Sequence, residues 1–404
     1  MMTCQFFARA LLASSALLIA PHAVHAQSAA NPPSPWPAGD EIGMANTLGP
    51  ETWKRCAPHL AKTKAKVYEL SYLRSNTMPQ SPFAIPHKEN AKPTVGIPGT
   101  YHAFNTDETV SDDPGQQGTQ MDAIGHFAVL PEKWDGKSAF PSQGAKYYGG
   151  FTQADVKPTP DSPLKKLGID KAPPIVTTGV LLDAKAYLGK GKPMEPGALV
   201  GAKDIEGMLK AQGLGKRGLQ AGDVLYIYTG WGDYWKDPDT EKFYYTKGPG
   251  LGYDAAKMIA EKKIVLVALD NPFTDPVPDG MLQNKAAPPA GVPDGLPFVI
   301  HHQNLAIAGI HQIQNANLGE LAKDKVWLSC TMILPLRTQG GSGSPVRPVA
   351  RVEMRSSMRA RTISRSTGSP EPAAWEATRL RWSFCRFSGG MLVFASAPKP
   401  VEMP

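Results

Sequence analysis

Apolar positions along this chain follow two periods, and the switches between them mark its elements. Clusters of β-branched and apolar residues bounded by Pro or Gly predict strands over 67–70 and 175–182. Ile205, Met208 and Leu209 recur at helical spacing, which predicts a helix over 204–212. The apolar run 223–229 is entered through Ala221 and Gly222 and left at Gly230, so it reads as a further strand. Residues 253–263 carry a helical pattern that leads straight into a buried strand, 264–269, ending on Asp270 and Asn271. One more strand is expected within 326–336. Strands alternating with helices put the chain in the mixed α/β class, where polar residues at strand exits tend to build sites. A Pro-rich stretch over 272–297 is too long for a simple connection and reads as a lid or an oligomer contact.

Composition changes this picture only at the ends. Of 404 residues, 42% are apolar and 20% charged, which suits a globular domain and excludes a mainly disordered or coiled-coil chain. Gly and Pro each number 39, so long loops between short strands are expected. The net charge of +7 invites a nucleic-acid reading until its location is considered. Residues 351–404 hold eight Arg and one Lys against four Glu, which leaves a body of only +2 and excludes nucleic acid as the partner.

The N-terminus has Arg9, an apolar run from Ala10 to Ala20, and then Ala23, Val24, His25 and Ala26, the pattern of a secretory signal peptide over 1–26. The run is too short to span a bilayer, so a periplasmic or secreted protein is expected, with no membrane insertion after cleavage. A Pro/Ser linker over 27–39, one domain over 40–350 and a basic tail over 351–404 complete the organisation. The tail reads as a shifted reading frame or as a disordered basic extension. Without Cys4, three cysteines remain, Cys56, Cys330 and Cys385: enough for one disulfide, but neither a disulfide framework nor a zinc motif.

Candidate chemistry lies in two places. The stretch Gly118-Thr119-Gln120-Met121-Asp122-Ala123-Ile124-Gly125-His126 sets a carboxylate and an imidazole four residues apart among small residues. That spacing suits a metal, a general base oriented by an acid, or a structural hydrogen-bonded pair. His301, His302 and His311 fall within eleven residues. Trp231, Tyr234 and Trp235 are candidates for an aromatic pocket wall or for core. No G-x-S-x-G elbow, H-E-x-x-H helix, P-loop or GxGxxG after a strand is present in the sequence.

The first stretch resembles the signature of the cyclase family of metal-dependent hydrolases, the kynurenine formamidase-like and isatin hydrolase-like proteins, in which the motif runs H-x-G-T-H-x-D-x-P-x-H. Three further blocks are similar in order and spacing: Gly222 to Trp231, with its "GD, apolar strand, TGW" pattern; Leu269-Asp270-Asn271; and His302 followed by Gln314-Asn315. The turn from Gly341 to Pro348 is similar to the family's closing Gly-Ser-Pro turn, and the resemblance covers about residues 35 to 350.

The resemblance implies a swivelling β/β/α fold with a mixed, partly barrel-like sheet, and assembly as a homodimer or homotetramer. It places the motif's first histidine on Gln116, its second on Gln120, and its aspartate and last histidine on Asp122 and His126. The distal histidine falls on His302, and the glutamate after it on Gln314. Larger members share the G-T-Q in place of G-T-H. The implied ligands of one divalent metal (manganese, zinc or magnesium) are therefore Asp122 and His302 with Gln116, Gln120 and Gln314. Catalysis falls to His126 as proton acceptor and to His302, while His301 is as readily core and His311 structural. The implied activity is hydrolysis of a small cyclic amide, formamide or lactone. The alternative is an exported small-molecule binding protein that kept the fold after losing ligands.

Overall fold

The structure, a computed structural model, describes residues 34–61, 65–106 and 108–353. The signal peptide, most of the linker, Cys385 and all but the first three residues of the basic tail lie outside the described residues. The strands begin with β1 (Ala65–Glu69), β2 (Lys88–Asn90), β3 (Val95–Gly96), β4 (Ala103–Phe104), β5 (Thr109–Ser111), β6 (Gln120–Asp122), β7 (Ile175–Asp183) and β8 (Leu199–Val200). They continue with β9 (Val224–Tyr228), β10 (Gly250–Leu251), β11 (Leu266–Leu269), β12 (His311–Gln314), β13 (Leu328–Ile333), β14 (Gly343–Pro345) and β15 (Val349–Glu353). The α-helices are α1 (Pro50–Leu60), α2 (Gln153–Val156), α3 (Ala184–Tyr187), α4 (Ala202–Ala211), α5 (Tyr253–Glu261), α6 (Val299–His301) and α7 (Gly319–Lys323).

Nine strands form one curled, half-barrel sheet in the order β1-β15-β13-β7-β9-β11-β12-β6-β14, which bears out the mixed, partly barrel-like arrangement. Its centre, β7-β9-β11-β12, is parallel, and the flanking pairs are antiparallel. Parallel strands are covered on both faces, and β9 and β11 accordingly read as unbroken apolar runs that are buried throughout. Over one face, Ile205, Met208 and Leu209 of α4 and Ala255, Ala256 and Ile259 of α5 join Val180, Leu182, Leu225, Ile227, Val267 and Leu269 in the main core. Each large aliphatic side chain buried this way contributes roughly 1.5–3 kcal/mol. The helix α1 lies against β7, β13 and β15, and the disulfide Cys56–Cys330 ties it to β13. The last strand runs on to Glu353, so sheet pairing continues three residues beyond Ala350.

The strand ends fix two loops. Gly230 follows β9 at φ 83°, a left-handed conformation that costs glycine little. The turn after it is held by Asp270 at the end of β11, whose carboxylate accepts from the Thr229 N–H (2.7 Å), the Thr229 hydroxyl (2.8 Å) and the Gly232 N–H (3.0 Å). The "TGW" and "LDN" blocks thus lock one another together. Burial raises the Asp270 carboxyl from 3.8 to about 6, and these hydrogen bonds hold it from rising further. Between about pH 4 and 6 the folded chain keeps a proton that the unfolded chain has released. Asp270's contribution to stability is therefore greatest below pH 4 and falls by about 3 kcal/mol as pH rises through 6. Urea unfolding of wild type and Asp270→Asn at pH 4, 5 and 7 should show the difference between them shifting by that amount against the wild type. A difference independent of pH would contradict this account.

A ribbon formed by the pairs β2–β5 and β3–β4 leaves Val95, Ile97, Tyr101 and Phe104 exposed. Two-stranded ribbons are marginal by themselves, so this apolar surface is notable.

Candidate metal centre

The site is built on β6 and β12. In their antiparallel register Asp122 lies opposite Gln312, and Gln120 opposite Gln314. Alternate residues of a strand share a face, so one carboxylate and three amides form a polar floor on one side of these two strands. The turn leading into β6 is pinned from the end of β12. Gly118 has φ 65°, a conformation that disfavours any side chain, and a Cβ there would sit 3.3 Å from the Arg74 guanidinium. The Asn315 amide donates to Gly118 O (2.6 Å), and the Thr119 hydroxyl donates to Asn315 O (2.6 Å). The "G-T-Q" and "Q-N" blocks are thus two halves of one clasp.

Beyond β6, a single 3-10 turn, Ile124–His126, brings the His126 imidazole back towards Asp122. The third member comes from α6. Asp275 accepts from the Ile300 N–H (2.6 Å) and from His301 Nδ1, which it meets in a close ion pair. With Nδ1 engaged, His301 presents Nε2 to Asp122 Oδ2 at 3.6 Å. One ligand atom each of Asp122, His126 and His301 lies within 4.8 Å of the others. After His301 the chain widens into a π-helical turn, His302–Ala308, a distortion that often accompanies functional sites.

The electrostatics distinguish the imidazoles. Burial lowers the pKa of His126, opposed by Asp122, so its ring is neutral at physiological pH. Burial acts on His301 in the same direction, but the charges of Asp275 and Asp122 outweigh it and raise that pKa. Burial likewise lowers His311, whose Nδ1 lies 3.0 Å from Asp122 O behind the floor.

The donor set fits a divalent cation. Asp122 is fully buried, and its Oδ1 has no partner; Gln314 Oε1 is likewise buried and unpartnered. An unpaired buried carboxylate oxygen is costly unless something positive meets it. An imidazole whose far nitrogen is engaged by a carboxylate is the usual form of a metal-binding histidine.

The structure brings together part of the set expected from the sequence. Asp122 and His126 stand in the group; its distal histidine is His301 and not His302. His302 begins the π-helical turn one residue on, where helical geometry turns its side chain about 100° away. Gln116 borders His126, its Nε2 3.5 Å from Nδ1. The Gln314 amide donates to Asp122 Oδ2 (2.7 Å), and Gln120 Oε1 receives the Asn315 amide at 3.4 Å. Three contributors were not singled out by sequence: Asp275, Thr274 and Gln312. Asp275 sits inside the Pro-rich stretch, 26 residues from its histidine, and no spacing rule links them.

The aromatic reading also shifts. Trp231 is buried against Tyr244 and Phe243, and Trp235 stacks on Tyr72, so both belong to a neighbouring core cluster that meets the site's rings through Phe273. The rings near His301 are Phe127 (5.4 Å) and Phe298 (6.1 Å), with Phe273 beyond Phe298.

A family model and several solved structures are similar to this chain. Residues 68–276, about half of the chain, match the family model described as "Putative cyclase". A solved structure described as a novel cyclase is 25% identical, covers 78% of this chain and 97% of its own, and superposes with a TM-score of 0.61. Isatin hydrolase A from Ralstonia solanacearum is 20% identical over 76% of this chain and 99% of its own (TM-score 0.46). Isatin hydrolase A from Labrenzia aggregata, bound to benzyl benzoate, is 16% identical over 74% and 98% (TM-score 0.49). No curated protein matches the chain. On the match of the family model over residues 68–276, this chain belongs to the cyclase family.

Proposed function

We propose that this protein is an exported, metal-dependent hydrolase that opens a small cyclic amide, formamide or lactone. The observation that carries this reading is the Asp122–His126–His301 group, with Asp122 and His301 buried, His126 partly so and one carboxylate oxygen unpartnered, in a member of the cyclase family. Asp122 and His301 would hold one divalent cation, manganese, zinc or magnesium. Bound there, such an ion lowers the pKa of water and polarises a carbonyl oxygen. The neutral ring of His126 would accept a proton from the attacking water and return it to the departing nitrogen or oxygen as its bond to the carbonyl carbon breaks. Asp275 holds His301 in the tautomer that keeps Nε2 available. Phe127 and Phe298 set their rings beside His301, and apolar surface there favours a flat, largely apolar substrate.

Export to the periplasm or medium follows from the N-terminal pattern, and the Cys56–Cys330 disulfide supports an oxidising compartment. A homodimer or homotetramer is proposed, with the 272–297 loop as one contact. The exposed apolar ribbon of β2 to β5 supports such an assembly.

Elemental analysis of protein purified without chelator, with Asp122→Ala alongside, tests the reading. The expected result is about one equivalent of divalent metal per chain, lost in the variant, with turnover in a screen of lactones and cyclic amides. No metal after incubation with each ion would turn the assignment to a small-molecule binding protein on the same fold. Light scattering of the same preparation reads the assembly state, and a monomer would refute that part.

A further inference from the structure

Two glutamine amides reach the same oxygen of Asp122, but they are held differently. Gln314 Nε2 donates to Oδ2 at 2.7 Å while its Oε1 is buried without a partner. That Nε2 also lies 3.5 Å from His301 Nε2, but among the described residues no donor holds the Oε1 side. Gln312 Nε2 donates to the same oxygen at 3.1 Å, and its Oε1 accepts from the Thr274 hydroxyl at 3.1 Å and the Asn304 amide at 3.3 Å. With both donors in place, Gln312 has one orientation, its N–H₂ towards Asp122. It is also fully buried, so water cannot compete for these bonds.

The partners of Gln312 tie it to the other side of the site. Thr274 Oγ1 lies 3.4 Å from His301 Nδ1 and 3.5 Å from Asp275 Oδ2. Asn304 belongs to the π-helical turn that follows His301. A change in the angle of the Asp122 carboxylate is therefore resisted by the same elements that orient His301.

We propose that Gln312 is a positioning residue for the metal centre, clamping the Asp122 carboxylate beside His301 through an amide locked by Thr274 and Asn304. Gln314 is the adaptable partner, able to turn its oxygen inward. The inference rests on the metal reading of the site, and its test separates the two. Removing a hydrogen-bond partner of a ligand typically weakens metal binding 10–100-fold.

The full chain is stripped of metal and titrated calorimetrically with manganese and with zinc, as wild type, Gln312→Met, Thr274→Val and Thr274→Ser. Gln312→Met keeps length and apolar volume but cannot donate, and should bind about 10–100-fold more weakly with an unchanged circular dichroism spectrum. Thr274→Val should lose part of that, and Thr274→Ser, which keeps the hydroxyl, should bind as wild type. Wild-type affinity in Gln312→Met would overturn the proposal. Should that variant fail to fold, the Thr274 pair decides, and equal affinities in Val and Ser would overturn it.

If wild type itself binds neither ion, the metal reading has failed, and glutamine-labelled NMR still decides the clamp. The Gln312 side-chain amide protons should exchange slowly, and their signal should move in Asp122→Asn. Fast exchange or an unmoved signal would overturn it.

Discussion

His301→Ala is expected to strip the divalent cation and lower hydrolysis about a thousandfold, the several kcal/mol that a metal supplies to developing charge. His302→Ala, one residue away, is expected to hold metal within about threefold of wild type. The contrast follows from geometry. His301 points Nε2 to within 3.6 Å of Asp122 Oδ2 and is held from behind by Asp275, whereas His302 starts the next turn outside the group. Alanine at 301 also leaves the buried Asp275 carboxylate without the Nδ1–H it accepts from, which adds to the loss. Metal content and initial rates of both variants, on whichever lactone or cyclic amide wild type turns over, decide the matter. Retention of metal in His301→Ala with loss in His302→Ala would reverse the assignment of the distal ligand.

The second large effect concerns the fold. The disulfide joins Cys56 of α1 to Cys330 of β13 across 274 residues, and both half-cystines are buried. Chain-entropy reasoning gives about 5.6 kcal/mol for closing so long a loop, slightly above the roughly 2–5 kcal/mol found on removing native disulfides. The Cys56→Ala, Cys330→Ala double variant should therefore melt about 10 °C below wild type. The strand order makes the tether useful. In sequence α1 precedes the sheet, yet it covers β7, β13 and β15, which arrive more than a hundred residues later. Intact-mass measurement without reductant should find the bridge formed in protein produced in an oxidising compartment. An unchanged melting temperature in the double variant would refute the stabilising role.

Legibility in the sequence followed the solvent exposure of each element. The strands β7, β9 and β11 and the helices α4 and α5 stand where periodicity predicts them, because each is apolar on every face or stripe that meets the core. The strands β6 and β12 were missed as strands. Their sequences, Gln-Met-Asp and His-Gln-Ile-Gln, read as polar loop because one face carries the site's carboxylate and amides while the other enters the core. A functional face breaks the very pattern by which a strand is recognised. The ribbon of β2 to β5 escaped notice for a different reason, since it buries none of its own residues and leaves no periodic signal.

By itself the sequence determined the mixed α/β class, the family blocks, and the pairing of Asp122 with His126, because these rest on local order and on spacing within one short segment. The tertiary structure alone decided that His301, rather than its neighbour, completes the group, because adjacent helical residues differ in direction by about 100° and only packing sets the phase. It also decided which carboxylate orients that histidine, which amide clamps Asp122 and which of three cysteines pair. Each of those contacts joins residues brought together by the curl of the sheet, and through-space distance across strands leaves no trace in the order of the chain.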